Sequence, residues 1–236
     1  AGKYNLYFYG TVNCESGTVT VATLEINFAK EEAVTMKIAT SEGGEKLYYG
    51  DLQISEMSPN VFIVLNSDFG EQVSLTFYDE PMNCETFQCA VGAMLSISAG
   101  DLKRAPVLNR FIITGYDVDE AHMKFIKAHL KLNTKYIDIS PEMLSTSVEG
   151  VFGKCEMADR ITDRLKKAFY SKRYYAIEDS FIVNTLRKDE NLSLRQADEL
   201  IAELRNNSLS NINFKINKSL DSTVYRCTNP KNISQE

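Results

Sequence analysis

Cysteine is scarce in this chain of 236 residues, and long apolar runs are absent. The five cysteines are scattered and odd in number, too few for a disulfide scaffold, which favours a reducing compartment. No segment approaches the roughly 18–20 apolar residues that span a bilayer, and the first residues do not form a signal peptide. We therefore expect no membrane span and a cytoplasmic location. The chain begins with Ala1, and removal of an initiator Met, of a signal peptide or of an upstream domain are all open interpretations of that start.

Histidine is rarer still, which limits metal binding and acid–base chemistry. The chain has two, His122 and His129, seven residues apart on one predicted helix. That spacing separates them by about 10 Å along the helix axis, too far to bind one metal ion together. Cys84 and Cys89 have four residues between them and no second cysteine pair at a zinc-finger spacing. We therefore expect no metal site and no cofactor.

Motifs of nucleophilic catalysis and nucleotide binding are missing as well. The chain contains no Gly-x-Ser-x-Gly elbow and no dinucleotide-binding glycine pattern. Residues 149–155 share glycines and Lys154 with a phosphate-binding loop. However, Val148 stands where the first glycine is required, and Cys155 replaces the Ser or Thr that would hold magnesium. We interpret this segment as a link between two helices, and we assign no catalytic residue.

The first half of the chain predicts an antiparallel β structure. Apolar residues alternate with polar ones in short runs that end at Gly-, Pro- and Asn-containing turns. We predict eight strands, at 4–9, 18–28, 34–39, 47–54, 61–65, 73–78, 90–98 and 107–114. In the second of them, one face carries Ala22, Leu24, Ile26 and Phe28. Such a meander closes into a barrel, which we favour, or folds into a sandwich, and an eight-stranded barrel has room for side chains or one small ligand.

After residue 115 the pattern changes to helical spacing. We predict helices over 117–132 and 155–170, a short strand over 136–139, and a helix that starts at Ser140. A capping box predicts a further helix from Ser193, with a buried stripe made of Leu194, Ala197, Leu200, Ile201 and Leu204. Residues 174–186 fit a strand and a helix equally well. The end of the chain predicts a hairpin, with arms at 213–217 and 223–227.

The two halves differ in charge. The whole chain carries a net charge of −6, of which residues 1–115 contribute −7 and the remainder +1, so only the second half could approach a phosphate backbone. Asp159 and Asp163 interleave with its basic residues and would pair with them one turn away, which makes a solvated helix face the main interpretation. The alternative is nucleic-acid binding, for which the candidate residues are Arg164, Lys166, Lys167, Lys172 and Arg173.

Carboxylates give a second alternative, a metal-dependent hydrolase or nuclease. Asp117, Asp119 and Glu120 could form a divalent-cation cluster, and Asp79 with Asp101 and Lys103 could form a nuclease-like group. Short acidic runs at a helix start are usually caps, and residue 101 lies in a predicted turn. We therefore prefer the capping interpretation.

The β half is rich in Tyr and Phe, and in places both faces of a predicted strand are aromatic. That apolar surface must contact a core, the second half, a partner or a ligand. We therefore predict an α+β protein with an N-terminal antiparallel barrel or sandwich domain (1–115) and a mixed domain of three or four helices with a terminal hairpin (116–236). The function we favour is a non-enzymatic module that senses a small apolar or mixed ligand held by the barrel, or that binds a protein partner.

Overall fold

A computed structural model describes residues 2–10, 18–29, 33–40, 43–55, 57, 60–78, 87, 89–97, 104–132, 136–169, 174–209 and 213–215. The first half forms eight consecutive strands, as the alternation predicts, with bounds within two residues of those predicted. They are β1 (Gly2–Tyr9), β2 (Val19–Ile26), β3 (Val34–Ala39), β4 (Glu45–Ile54), β5 (Asn60–Asn66), β6 (Gln72–Tyr78), β7 (Cys89–Ile97) and β8 (Pro106–Thr114).

Each strand pairs antiparallel with the next, and β1 also pairs with β8, so the sheet closes into a barrel. The barrel form of the prediction is confirmed. Along the strands, buried residues that point inward alternate with residues that are partly or fully exposed. This follows because successive side chains of a strand point to opposite faces. Ala22, Leu24 and Ile26 lie in the barrel core as predicted, whereas Phe28 lies beyond the end of β2 and is exposed.

Packing fills the central part of the barrel. Gly92 of β7 faces the core, where a Cβ atom would lie 2.4 Å from the ring of Phe111 and 2.4 Å from the carbonyl oxygen of Thr76. Glycine at this position therefore makes room for the Phe111 ring, which packs edge-on against Phe77 at 5.9 Å between ring centroids. The interior is thus occupied by side chains over most of its length.

At one end of the barrel, β8 pairs with a different strand than it does along the rest of its length. The β1–β8 ladder stops at the pair Phe8 and Phe111. Beyond it, the same edge of β8 pairs with a short strand from late in the chain, β11 (Asn213–Lys215). Asn109 of β8 bridges the opening, because its side-chain amide donates to the carbonyl oxygen of Tyr9 at 3.4 Å. At this end of the barrel, which we call the mouth, β11 therefore continues the sheet beyond the end of the β1–β8 ladder.

The second half is mostly helical. A 3-10 turn (Glu120–His122) leads into α1 (Met123–Leu130), so the regular helix begins later than predicted because Asp119 caps the 3-10 turn first. The remaining elements are β9 (Tyr136–Ile139), α2 (Pro141–Phe152), α3 (Glu156–Ala168), β10 (Tyr175–Glu178), α4 (Asp179–Phe181), a π-helical turn (Ile182–Leu186), α5 (Arg187–Asp189) and α6 (Leu194–Asn206). The ambiguous segment therefore contains both structures, a strand and then a helix.

Local signals for the helix starts are confirmed. Ser140 caps α2, and Ser193 with Gln196 forms the capping box of α6. The buried stripe of α6 lacks Leu194, which is 55% exposed because it lies in the first turn at the edge of the core. β11 is the first arm of the predicted hairpin, but its partner in the structure is β8, and the second arm lies outside the described residues.

The barrel and the helical half are joined by a small apolar cluster. It comprises Tyr7, Tyr9, Ile112, Ile126 and Leu130, the first three on the outer face of the barrel and the last two on α1. The Tyr9 hydroxyl donates to the carbonyl oxygen of Lys127 at 2.9 Å. In the described part of the chain, no helix is both long and apolar enough to cross a membrane.

Candidate ligand-binding site

A cavity of 290 Å³ opens at the mouth of the barrel, among the ends of β1, β3 and β7 and the beginnings of β2, β4 and β6. Its wall is largely apolar and its edge is polar. Phe8, Met36, Val73 and Met94 line its wall, and Lys46, Tyr48, Glu71 and Ser96 also line it.

The wall of the cavity consists of side chains that also belong to the barrel core. Phe8, Met36, Val73 and Met94 are buried and face inward from four different strands. Below them the interior is closed by packed side chains, so the cavity is a pocket at one end and does not continue as a channel. Two methionines in the wall favour adaptable binding, because the thioether side chain is flexible and polarizable.

A charged cluster forms one edge of the cavity. The carboxylate of Glu71 accepts a hydrogen bond from the Tyr48 hydroxyl at 2.7 Å, from the Lys46 ammonium at 3.4 Å and from the Arg104 guanidinium at 2.5 Å. Strand alternation explains the placement, because Lys46 lies two residues before the inward-facing Tyr48 on β4, and Glu71 two residues before Val73 of β6. The side chain of Glu71 is only 16% exposed.

The protonation states of Glu71 and Tyr48 follow from their surroundings. Burial would by itself raise the pKa of Glu71, but the hydrogen bond from Tyr48 and the positive charges of Lys46 and Arg104 outweigh it and hold that pKa below its usual range. Burial raises the pKa of Tyr48, and its hydrogen bond to Glu71 raises it further. Glu71 is therefore a carboxylate and Tyr48 a neutral hydrogen-bond donor at neutral pH.

Two of the carboxylates considered for a metal site have partners within the chain. Asp119 caps the 3-10 turn by accepting from the backbone amide of His122 at 2.9 Å, and Asp117 accepts from the side chain of Asn5 at 2.7 Å. Among the residues that the structure describes, no three His, Cys, Asp or Glu side chains are arranged to hold a metal ion. Asp79 and Asp101 lie outside the described residues.

The two histidines line one open groove between α1 and α6, yet each ring has a local partner. His122 Nδ1 lies 2.6 Å from a carboxylate oxygen of Asp119, and His129 Nδ1 lies 2.8 Å from the carbonyl oxygen of Phe125.

Within the segment 149–155, residues 149–152 form the last turn of α2 and residues 153–155 form the link between two helices that the sequence predicts. α2 ends at Phe152, Gly153 adopts a φ of 73°, and α3 begins at Glu156. The positive φ favours glycine at this position. The backbone conformation therefore explains the presence of Gly153, and no bound phosphate is needed to explain it. Lys154 lies 3.9 Å from the carboxylate of Glu149.

The candidate nucleic-acid-binding residues are only partly described. Arg164 contacts the carboxylates of Asp189 and Glu190, and the latter also contacts Arg160 at 3.4 Å. The guanidinium of Arg164 is therefore already paired within the chain. Lys166 is half-buried and Lys167 exposed near the end of α3, while Lys172 and Arg173 lie outside the described residues. Nucleic-acid binding by this helix stays a prediction.

Sequence reasoning did not single out Lys46, Glu71 and Arg104. The sequence did contain a pattern that indicates Lys46 and Glu71. The apolar residues of β4 and β6 alternate with a period of two, and continuing that alternation toward the start of each strand places these charged side chains on the inward face. Arg104 precedes β8 and carried no such signal. No protein-family model, curated protein or solved structure matches the chain.

Proposed function

We propose that the protein is a non-enzymatic binding module that holds a small molecule in the cavity at the mouth of the barrel. The observation that carries this proposal is an open cavity of 290 Å³ in a barrel whose interior is otherwise packed. Ligand sites in proteins are concave, mostly apolar and edged by a few polar groups, and this cavity has each of those properties.

The size of the cavity limits the ligand. Ligand sites commonly measure about 300–1,000 Å³, so this one is at the small end of that range. A water molecule occupies about 30 Å³ of liquid, which gives room for on the order of ten non-hydrogen atoms. The ligand is therefore a compact molecule with an apolar body, smaller than a nucleotide or a typical drug.

The state of the polar cluster supports binding over catalysis. A general base needs a group that can take up a proton near neutral pH. Glu71 has both oxygens engaged by donors and a pKa below its usual range, and Tyr48 keeps its proton. These groups are suited to orient a ligand and are not suited to exchange protons with it.

Strand β1 supports a sensing role, because it contacts both the cavity and the helical half. Phe8 and Gly10 line the cavity, whereas the alternate residues Tyr7 and Tyr9 point outward onto α1. The backbone amide of Val118 donates to the Tyr7 hydroxyl at 3.3 Å. A ligand that shifts the end of this strand thereby shifts the contacts of the helical half.

Two measurements test the proposal. Native mass spectrometry of gently purified protein should show a retained small-molecule mass, and calorimetric titration should show that octan-1-ol binds. Ser96→Trp places a large side chain in the cavity and should abolish both signals. Thr35→Trp is the matched control, because residue 35 lies on the outer face of β3 and should leave binding unchanged.

The same measurements define failure. A bare polypeptide mass together with no binding of octan-1-ol would contradict the proposal. Equal binding by Ser96→Trp and Thr35→Trp would also contradict it, because the molecule would then bind elsewhere. The chain has no native tryptophan, so the fluorescence of each introduced indole reports whether that variant is folded.

A further inference from the structure

We infer that the ligand of this cavity carries an oxyanion head that binds the ammonium group of Lys46, with an apolar tail directed into the barrel. This inference rests on the proposed binding function and adds the chemical class of the ligand. It follows from the distribution of charge around the cavity, from the donors that remain free on Lys46, and from the position of the apolar wall.

Arg104 offsets the charge of Glu71 from outside the cavity. Its guanidinium contacts Oε1 of Glu71 at 2.5 Å, while the Tyr48 hydroxyl occupies Oε2 at 2.7 Å. Arg104 is absent from the cavity lining, whereas Lys46 is part of it. The cluster therefore has two cations against one carboxylate, and the cation that faces the ligand is Lys46.

Lys46 keeps most of its donor capacity for a ligand. A lysine ammonium has three N–H donors, and Glu71 Oε2 lies 3.4 Å away, which is the long end of the range for such a contact. The side chain is 41% exposed, so the remaining donors are accessible. An oxyanion satisfies such donors best, because hydrogen bonds between two charged groups are the strongest.

Among the residues that the structure describes, Glu45 and Asp68 are the other acidic side chains next to Lys46, and neither lines this cavity. Glu45 and Asp68 line a separate pocket of 110 Å³ that shares Lys46 and Glu71 with the mouth cavity. Neither of them contributes to the wall of the 290 Å³ cavity. Lys46 and Glu71 are therefore the charged side chains that the described part of the chain contributes to the cavity wall.

The apolar wall fixes the direction of the ligand. Met36 and Met94 are buried in the barrel core, whereas Lys46 lies at the first turn of β4 and is half exposed. A tail of several carbon atoms therefore packs against the methionines while the head remains at the edge. The ligand is therefore a short amphiphile. Its head is a carboxylate or a phosphate, which are both oxyanions, as in octanoate or octyl phosphate.

Calorimetric titration of the full chain with matched eight-carbon probes tests this inference. We expect octanoate to bind at least about tenfold more tightly than octan-1-ol, because a hydrogen bond between two charged groups is stronger than one to a neutral hydroxyl. Octylamine should bind most weakly. A comparison of octanoate with octyl phosphate distinguishes the two heads, and inorganic phosphate tests whether the tail is required.

The variant Lys46→Met should weaken octanoate binding about tenfold and change octan-1-ol binding less than about twofold, since only the charged head loses a partner. Lys37→Met is the matched control. It removes the same charge from the neighbouring strand β3, on the outer face of the barrel, and should leave both affinities unchanged.

Four outcomes would overturn the inference in whole or in part. Equal affinities for octanoate and octan-1-ol, or equal effects of Lys46→Met and Lys37→Met, would do so while leaving the proposed binding function intact. Binding of inorganic phosphate as tight as that of octyl phosphate would overturn the apolar-tail assignment. Absence of binding by every eight-carbon probe would overturn both proposals, so the two failures are distinguishable.

Discussion

Lys131, which directly follows α1, is a buried lysine with its ammonium group directed at the end of α6. It is 8% exposed, and its Nζ donates to the carbonyl oxygens of Asn206 at 2.5 Å and of Ser208 at 3.4 Å. These carbonyls lie at a helix C-terminus, where a cation is favoured and where backbone acceptors lack partners within the helix. Burial nevertheless lowers the pKa of Lys131 to about 8.

This pKa predicts a specific dependence of stability on pH. An unfolded lysine titrates near 10.4, so between pH 8 and about 10 the unfolded chain holds a proton that the folded protein has released. The free energy of unfolding should therefore rise with pH across that window, relative to a Lys131→Met variant. Urea denaturation of both proteins at pH 7, 8, 9 and 10 measures this difference. Identical pH dependence of the two proteins would contradict the assignment.

At the scale of single elements, the capping box of α6 combines two reciprocal hydrogen bonds. The backbone amide of Gln196 donates to Ser193 Oγ at 3.2 Å, and the backbone amide of Ser193 donates to the Gln196 side chain at 2.9 Å. The helix they start supplies Ala197, Leu200 and Leu204 to the core of the helical half. Proper initiation of α6 therefore determines how that core packs.

We expect Ser193→Ala to lower the free energy of unfolding by about 1 kcal/mol, because one N-terminal amide loses its acceptor. Hydrogen exchange in the first turn of α6 should accelerate at the same time. Thr146→Ala is the control, since Thr146 is exposed within α2 and its hydroxyl donates only to the carbonyl oxygen of Glu142 at 3.1 Å. A similar loss of stability in both variants would argue against a specific capping effect.

The elements that sequence reasoning predicted well are those with a local cause. A period of two gave the eight strands, and Ser140 and Ser193 gave two helix starts, because each pattern acts within a few residues. The segment 174–186 was ambiguous because its β-branched and aromatic residues suit both structures, and packing against the helical core decides where the strand ends.

The candidate site depends on contacts between distant residues. Lys46, Glu71 and Arg104 come from three parts of the sequence, and only barrel closure and strand register bring them together. Periodicity indicates that a strand has two faces, but it does not show which inward-facing groups meet at one end. For the same reason, no sequence pattern indicated that β11 would pair with β8.

At the scale of the whole molecule, the described residues form two large apolar cores and one small cluster between them. The barrel core and the core of the helical half share no residue, and the cluster of Tyr7, Tyr9, Ile112, Ile126 and Leu130 joins them. Two cores with a small contact between them can unfold separately when that contact is weakened. The cluster therefore determines how strongly the halves are coupled.

We predict that Ile126→Ala uncouples the two halves. Truncating a buried isoleucine costs about 2–5 kcal/mol, and here the loss falls on the contact between the cores. Amides of α1 and α6 should therefore lose protection from hydrogen exchange at lower urea concentration than in the unmodified protein, while those of β2 and β3 keep their midpoint. Ile54→Ala, at an exposed position of β4, should change neither. Equal shifts in the barrel and in the helices would instead show that the two cores unfold as one cooperative unit.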